Sequence, residues 1–178
     1  MLTACTNRNR IMAYRAEGIN SLQNQNYQEA LDYFNMAISA GDGEVTKLQY
    51  DLLLYKAECL FQLGDFSKSR DIYNVLLKVN PNNSQFKEIF SIISSLASLD
   101  ELRASLDNNN LTEAEELINK LKQTGLEHDR AVIFNQGVLY EKKGEWKYAL
   151  DQFKYYLTQF PNDEKALHEI EFINAQLR

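Results

Sequence analysis

The chain is poor in the residues that break or cross-link structure. It has two prolines and seven glycines among 178 residues, mostly at turns, so nothing in it reads as a disordered linker. Two cysteines, Cys5 and Cys59, are too few for a disulfide framework, and Cys59 reads as a small core residue inside a helix. The two histidines, His128 and His168, stand 40 residues apart without a ligand-spaced cysteine or carboxylate, which argues against a metal site. A formal net charge of −6 disfavours nucleic acid, whose phosphates need clustered lysine and arginine. No apolar run approaches the length of a membrane-spanning helix. Catalytic signatures are missing as well. Gly41-Asp42-Gly43 lacks the third glycine of a phosphate loop and reads as a helix terminator. No GxSxG elbow occurs. The paired carboxylates Glu115/Glu116 and Asp163/Glu164 are expected on solvated faces. The chain therefore reads as non-enzymatic, without a cofactor.

What the chain does have is internal repetition. QNQNYQEALDYFNMAI from Gln23, QLGDFSKSRDIYNVLL from Gln62, DNNNLTEAEELINKLK from Asp107 and KKGEWKYALDQFKYYL from Lys142 align without a gap. The first shared column is a turn or cap residue: Asn26, Asp65, Asn110, Glu145. Asn26 with Glu29 and Asn110 with Glu113 have the spacing of a capping box, and Thr112 with Glu115 offers a second register. A large apolar residue follows: Tyr27, Phe66, Leu111 or Trp146. Three residues on comes a small one, Ala30, Ser69, Ala114 or Ala149. Then come Phe34, Tyr73, Ile118 and Phe153, and after them Ala37, Leu76, Leu121 and Tyr156. Steps of three and four put these columns on one helical face. The small column predicts close approach by a neighbouring helix, and the bulky columns fill the space beside it. The tyrosines and Trp146 in these columns are read as core.

A second helical run precedes each block. Twelve positions before the small column stand Gly18, Ala57 and Gly137, with Leu102 in the third copy. Pro81 and Pro161 follow the second and fourth blocks, where proline stops a helix. Each repeat thus reads as helix, turn, helix, turn. A recurrence every few tens of residues is the mark of a stacked solenoid. The blocks start 39, 45 and 35 residues apart; the extra residues of the first two gaps are read as extensions of the following helices. Ser84 to Leu106 is left open as one helix or two. After Pro161, Leu167, Ile170, Phe172 and Ile173 form the apolar side of a last helix that shields the open end.

These features resemble the tetratricopeptide repeat, over roughly Ile11 to Asp163. The second repeat's LGDF and NPNN and the fourth's KKGEW match it closely, while the third is degenerate. The resemblance implies an all-α, right-handed α-solenoid of about four helix pairs with a C-terminal capping helix. On this reading residues 1–10 are an N-terminal tether or signal remnant and 11–178 a single domain. The repeats fall at about 11–43, 44–83, 84–128 and 129–163, with the capping helix at 164–178. The resemblance also implies a protein-interaction module, binding a peptide or helix of an unidentified partner in a concave groove lined by the first helices. That face maps to Arg15, Ile19 and Leu22 in repeat one and to Leu54, Glu58 and Phe61 in repeat two. Leu99 and Arg103 continue it in repeat three, and Phe134, Val138 and Glu141 in repeat four. Some family members clamp the terminal carboxylate of chaperones on this face. Arg15 matches one clamp residue, but Ile19 and Tyr55 stand where asparagine is needed, so no clamp is expected.

The N-terminus carries an alternative. Leu2-Thr3-Ala4-Cys5 resembles a bacterial lipobox, whose cysteine is acylated. Thr6-Asn7-Arg8-Asn9-Arg10 would then tether an envelope lipoprotein with a structural role, two acyl chains sufficing for stable anchoring. Four residues before Cys5 are too few for a signal's charged and apolar regions. Location therefore stays open, outside the cytoplasm on a membrane with such a signal and in the cytoplasm without it.

Overall fold

The computed structural model describes residues 2–41 and 46–178, with side chains from residue 7 onward. Within these residues every regular element is helical. In chain order they are α1 (Leu2–Gln23), α2 (Tyr27–Ser39), α3 (Lys47–Gln62), α4 (Phe66–Val79), α5 (Ser84–Asp107), α6 (Leu111–Leu121), α7 (Arg130–Lys142), α8 (Trp146–Gln159) and α9 (Glu164–Gln176). A widened turn, Lys122–Leu126, follows α6. The stretch from Ser84 is a single helix. The run Thr6 to Arg10, expected as a tether, is instead the first part of α1, because no proline or glycine before Gly18 stops the helix. The helices gather into two compact units, Met1–Ala97 and Ser98–Arg178.

In the N-terminal unit α1 packs on α2, α2 on α3, and α3 on α4. In the C-terminal unit α6 packs on α7, α7 on α8, and α8 on α9. The expected small column is fully buried, with Ala30, Ser69, Ala114 and Ala149 all at 0% exposure. Ser69 meets this by donating its hydroxyl to the Ala57 carbonyl at 2.9 Å. Sixteen residues after each first-helix small position lies a bulky residue of the second helix, and the two meet. A Cβ added to Gly18 would lie 2.7 Å from the Phe34 ring, and one added to Gly137 2.8 Å from the Phe153 ring. Ala57 shares a core cluster with Tyr73. In the third repeat the volumes are exchanged: Leu102 replaces the small residue and Ile118 the ring, and both are buried in one cluster. What looks degenerate in the sequence is a compensated packing pair.

All four intra-repeat turns have the same hydrogen bonds. The N–H of Asn26 donates to Ser21 O, of Asp65 to Leu60 O, of Asn110 to Ser105 O and of Glu145 to Tyr140 O. The residue before each of these is left-handed: Gln25 (φ 60°), Gly64 (φ 80°), Asn109 (φ 59°) and Gly144 (φ 73°). This is the Schellman closure of the first helix, with the next residue serving at once as N-cap of the second. It corrects the capping-box expectation. The N–H that Glu29 or Glu113 would have taken is already bonded to the preceding helix, and neither Asn26 nor Asn110 caps through its side chain. Glu29 accepts from the Ser21 hydroxyl at 3.0 Å instead. With α6 starting at Leu111 after Asn110, the Thr112 register is not used. Asp65 alone among the four caps, accepting from Lys68 N at 3.2 Å.

Two stability outcomes follow. Gln25→Gly should raise stability by about 1 kcal/mol, since a left-handed residue with a Cβ carries that cost, read as a higher midpoint in urea. Ala149→Leu, at 0% exposure, should overpack α8 against α7 and cost about 1–3 kcal/mol.

Candidate interaction grooves

The C-terminal unit holds a groove of about 730 Å³. Its walls come from the last turns of α5 (Leu99, Arg103), the first half of α7 (Phe134, Asn135) and the turn into α9 (Asn162, Glu164, Lys165). Asp129 and Asp163 hold the starts of α7 and α9 in place. Asp129 accepts from Ala131 N at 2.8 Å, and Asp163 accepts from Lys165 N at 3.0 Å. Phe134 rests edge-on against Phe153 and Tyr156, ring centres 5.2 and 5.4 Å apart, so its inner side is fixed.

One wall is pinned by three side chains. The Tyr156 hydroxyl donates to Asp163 Oδ2 at 2.6 Å, Arg130 Nε donates to the Tyr156 oxygen at 2.8 Å, and Arg130 Nη2 pairs with the same Asp163 oxygen. Arg130 also lies over the Phe160 ring at 5.5 Å. Asp163, expected to be solvated, is thus only 9% exposed in its side chain. The Tyr156 hydroxyl and then the Arg130 guanidinium hold its carboxyl well below the ordinary carboxylate range. Burial, and then Asp163, push the Tyr156 hydroxyl up.

Of the five inner-face residues expected in this unit, Leu99, Arg103 and Phe134 line the groove. Val138 is half-buried between two core clusters. Glu141 is half-buried and meets Glu169 of α9; burial first, and then that second carboxylate, push its pKa up. In the N-terminal unit Arg15 and Leu54 line a groove of about 1050 Å³. Arg15 is engaged there, donating from Nε to Asp51 Oδ2 at 2.8 Å and lying 5.5 Å over the Tyr55 ring. Ile19 and Leu22 pack on the α1–α3 core, and Phe61 packs edge-on against Phe66 with centres 5.5 Å apart. Glu58 is exposed. It neighbours Cys59, whose thiol is pushed up to about 11 mainly by burial. Among the described residues no three His, Cys, Asp or Glu gather to hold a metal, and no helix is long and apolar enough to cross a membrane. The Cys5 side chain, proposed as an anchor, and Asp42-Gly43 of the terminator lie outside what the structure describes.

Paired helices, each pair closed by the same turn and presenting grooves with apolar floors, define the class of helical-repeat interaction proteins. Two tetratricopeptide-repeat models match, at residues 21–89 and 131–163, and together they cover more than half of the chain. The chain belongs to the tetratricopeptide-repeat family and is an interaction scaffold of that kind. It is similar to solved structures of MamA from AMB-1, at 19% identity over 94% of this chain and 82% of that one, TM-score 0.44. It is also similar to MamA 41-end from Desulfovibrio magneticus RS-1, at 15% identity over 94% and 85%, TM-score 0.45. No curated protein matches it.

The two carboxylates give opposite pH dependences. Asp163, with a lowered pKa, stabilises the fold above its ordinary value, and that stability is lost as pH falls through the folded value. Glu141, with a raised pKa, costs stability as pH rises through the window between its ordinary and raised values. Glu141→Gln should therefore raise the melting temperature at pH 7, with the gain vanishing below about pH 4. An equal gain at both pH values would contradict the burial argument.

Proposed function

We propose that the groove of the C-terminal unit holds an extended peptide or a helix of a partner protein. The observation that carries this is its composition. The floor offers the half-buried Leu99 and Phe134, while Asn135 and Lys165 at the rim make no side-chain hydrogen bond or ion pair within the described residues. Apolar floors supply affinity, and unengaged amides and ammonium groups fix the register of a bound chain. Arg130, by contrast, is committed to Asp163 and Tyr156 and acts on the shape of the wall. The inner-face residues of the N-terminal unit, above all Leu54, form a second candidate surface; Arg15 there serves mainly to join α1 to α3.

Phe134→Ala removes a ring that also packs on Phe153 and Tyr156, so it should cost about 3 kcal/mol of stability and is a poor probe. Asn135→Asp with Lys165→Glu leaves the floor intact and reverses the polarity of the rim. A partner captured by the wild-type chain should bind this double variant about tenfold or more weakly, from lost hydrogen bonds and repulsion, with an unchanged far-ultraviolet circular dichroism spectrum. Unchanged affinity would move the site off this groove.

A further inference from the structure

The outer faces of α8 and α9 carry complementary patterns. On α8, Lys147 and Lys154 lie seven residues apart, two turns or about 10.5 Å along the axis. Beside them run Tyr148 and Tyr155, also seven apart, 65% and 42% exposed. The other repeats do not share this. Where α8 has Lys154 they have Asn35, Asn74 and Asn119, and where it has Lys147 they have Gln28, Ser67 and Thr112. On a chain of net charge −6, the exposed face of α8 combines two lysines with two tyrosines at the same seven-residue spacing.

Helix α9 begins after Asp163 as α7 begins after Asp129. Counted from these caps, Leu167 matches Ile133 and Glu171 matches Gly137. In α7 those positions are buried, Gly137 against the Phe153 ring of α8. In α9 they are open: Leu167 is 45% exposed, and Glu164 and Glu171 flank it, again seven residues apart. This is the face on which a first helix of a repeat takes a second helix, and here it is apolar in the middle and acidic on either side.

We propose that this chain self-associates, the outer face of α9 in one copy receiving the outer face of α8 in another. Glu164 and Glu171 meet Lys147 and Lys154 at matched spacing, and Leu167 enters between Tyr148 and Tyr155. Asp151 lies on the α8 face between the lysines and leaves it one net positive charge, against two negative charges on α9. Contacts of this kind are steered and registered by charge, and they weaken as salt screens them. Glu164 also lines the groove beside Lys165, whereas Lys147, Lys154, Leu167 and Glu171 do not, so the Lys147/Lys154 variant is the one that separates loss of self-association from loss of partner capture at the groove.

Sedimentation of the full chain at low ionic strength should show concentration-dependent association that disappears in about 1 M salt, where the Debye length is about 3 Å. Lys147→Glu/Lys154→Glu and Glu164→Lys/Glu171→Lys should each weaken self-association about tenfold or more through like-charge contact. Mixing the two variants should restore association, because the acidic α8 of one then faces the basic α9 of the other. Circular dichroism checks that each variant is folded. A wild-type chain that stays monomeric at every concentration overturns the proposal, as do variants that associate like wild type or a mixture that remains monomeric.

Discussion

The fold turns on one contact, between a first-helix residue and the bulky residue sixteen positions on in its second helix: a small residue against a ring in three repeats, and Leu102 against Ile118 in the third. At Gly18 and Gly137 the helices approach so closely that a Cβ would fall within 3 Å of a phenylalanine ring. The close approach buries the second small column, from Ala30 to Ala149, and leaves Phe34 and Phe153 without exposed surface. Interiors tolerate exchange of volume between neighbours far better than a change in their sum. The third repeat shows this, with Leu102 and Ile118 sharing the space that glycine and phenylalanine share in the first and fourth. The groove depends on the same contact, because Phe134 lies one turn before Gly137 on α7 and packs on the same Phe153 ring of α8.

The turns add a second constraint. One residue ends the first helix through its N–H and begins the second through its carbonyl, which fixes the angle between the two with no spare residue. Two repeats place glycine at the left-handed position before it; Gln25 and Asn109 adopt the same conformation with a side chain. Helix packing holds them there, which is tertiary structure overriding local preference.

The packing columns were legible in the sequence because they repeat, and repetition reveals spacing without homologues. Caps were less legible. Asn26-x-x-Glu29 has the right residues for a capping box, but the turn before it had already used the N–H in question. Asp163 was misjudged for a related reason. A carboxylate next to another carboxylate after a proline looks solvated, whereas contact with Arg130 and Tyr156, 33 and 7 residues away in sequence, buries it. The inner face was partly legible: Leu99, Arg103 and Phe134 do line one groove, but Asn135 and Lys165 were missed. Rim residues vary from repeat to repeat, so no column exposes them. The commitment of Arg15 to Asp51 could not be read either, since both lie on exposed-looking helical positions in different repeats.

As a scaffold of the tetratricopeptide-repeat family, the chain repeats one internal contact and leaves its remaining faces for recognition. The most direct test of that contact is a double-mutant cycle in the third repeat. Leu102→Ala alone should cost about 2–5 kcal/mol by opening a cavity, and Ile118→Phe alone about 1–3 kcal/mol by overpacking. Together they recreate the small-residue and ring pairing of the other repeats, so the account predicts that the double variant is more stable than the Leu102→Ala chain, with a coupling of at least about 1 kcal/mol in urea unfolding. Losses that simply add would mean that the two positions do not share one space, and would contradict the account.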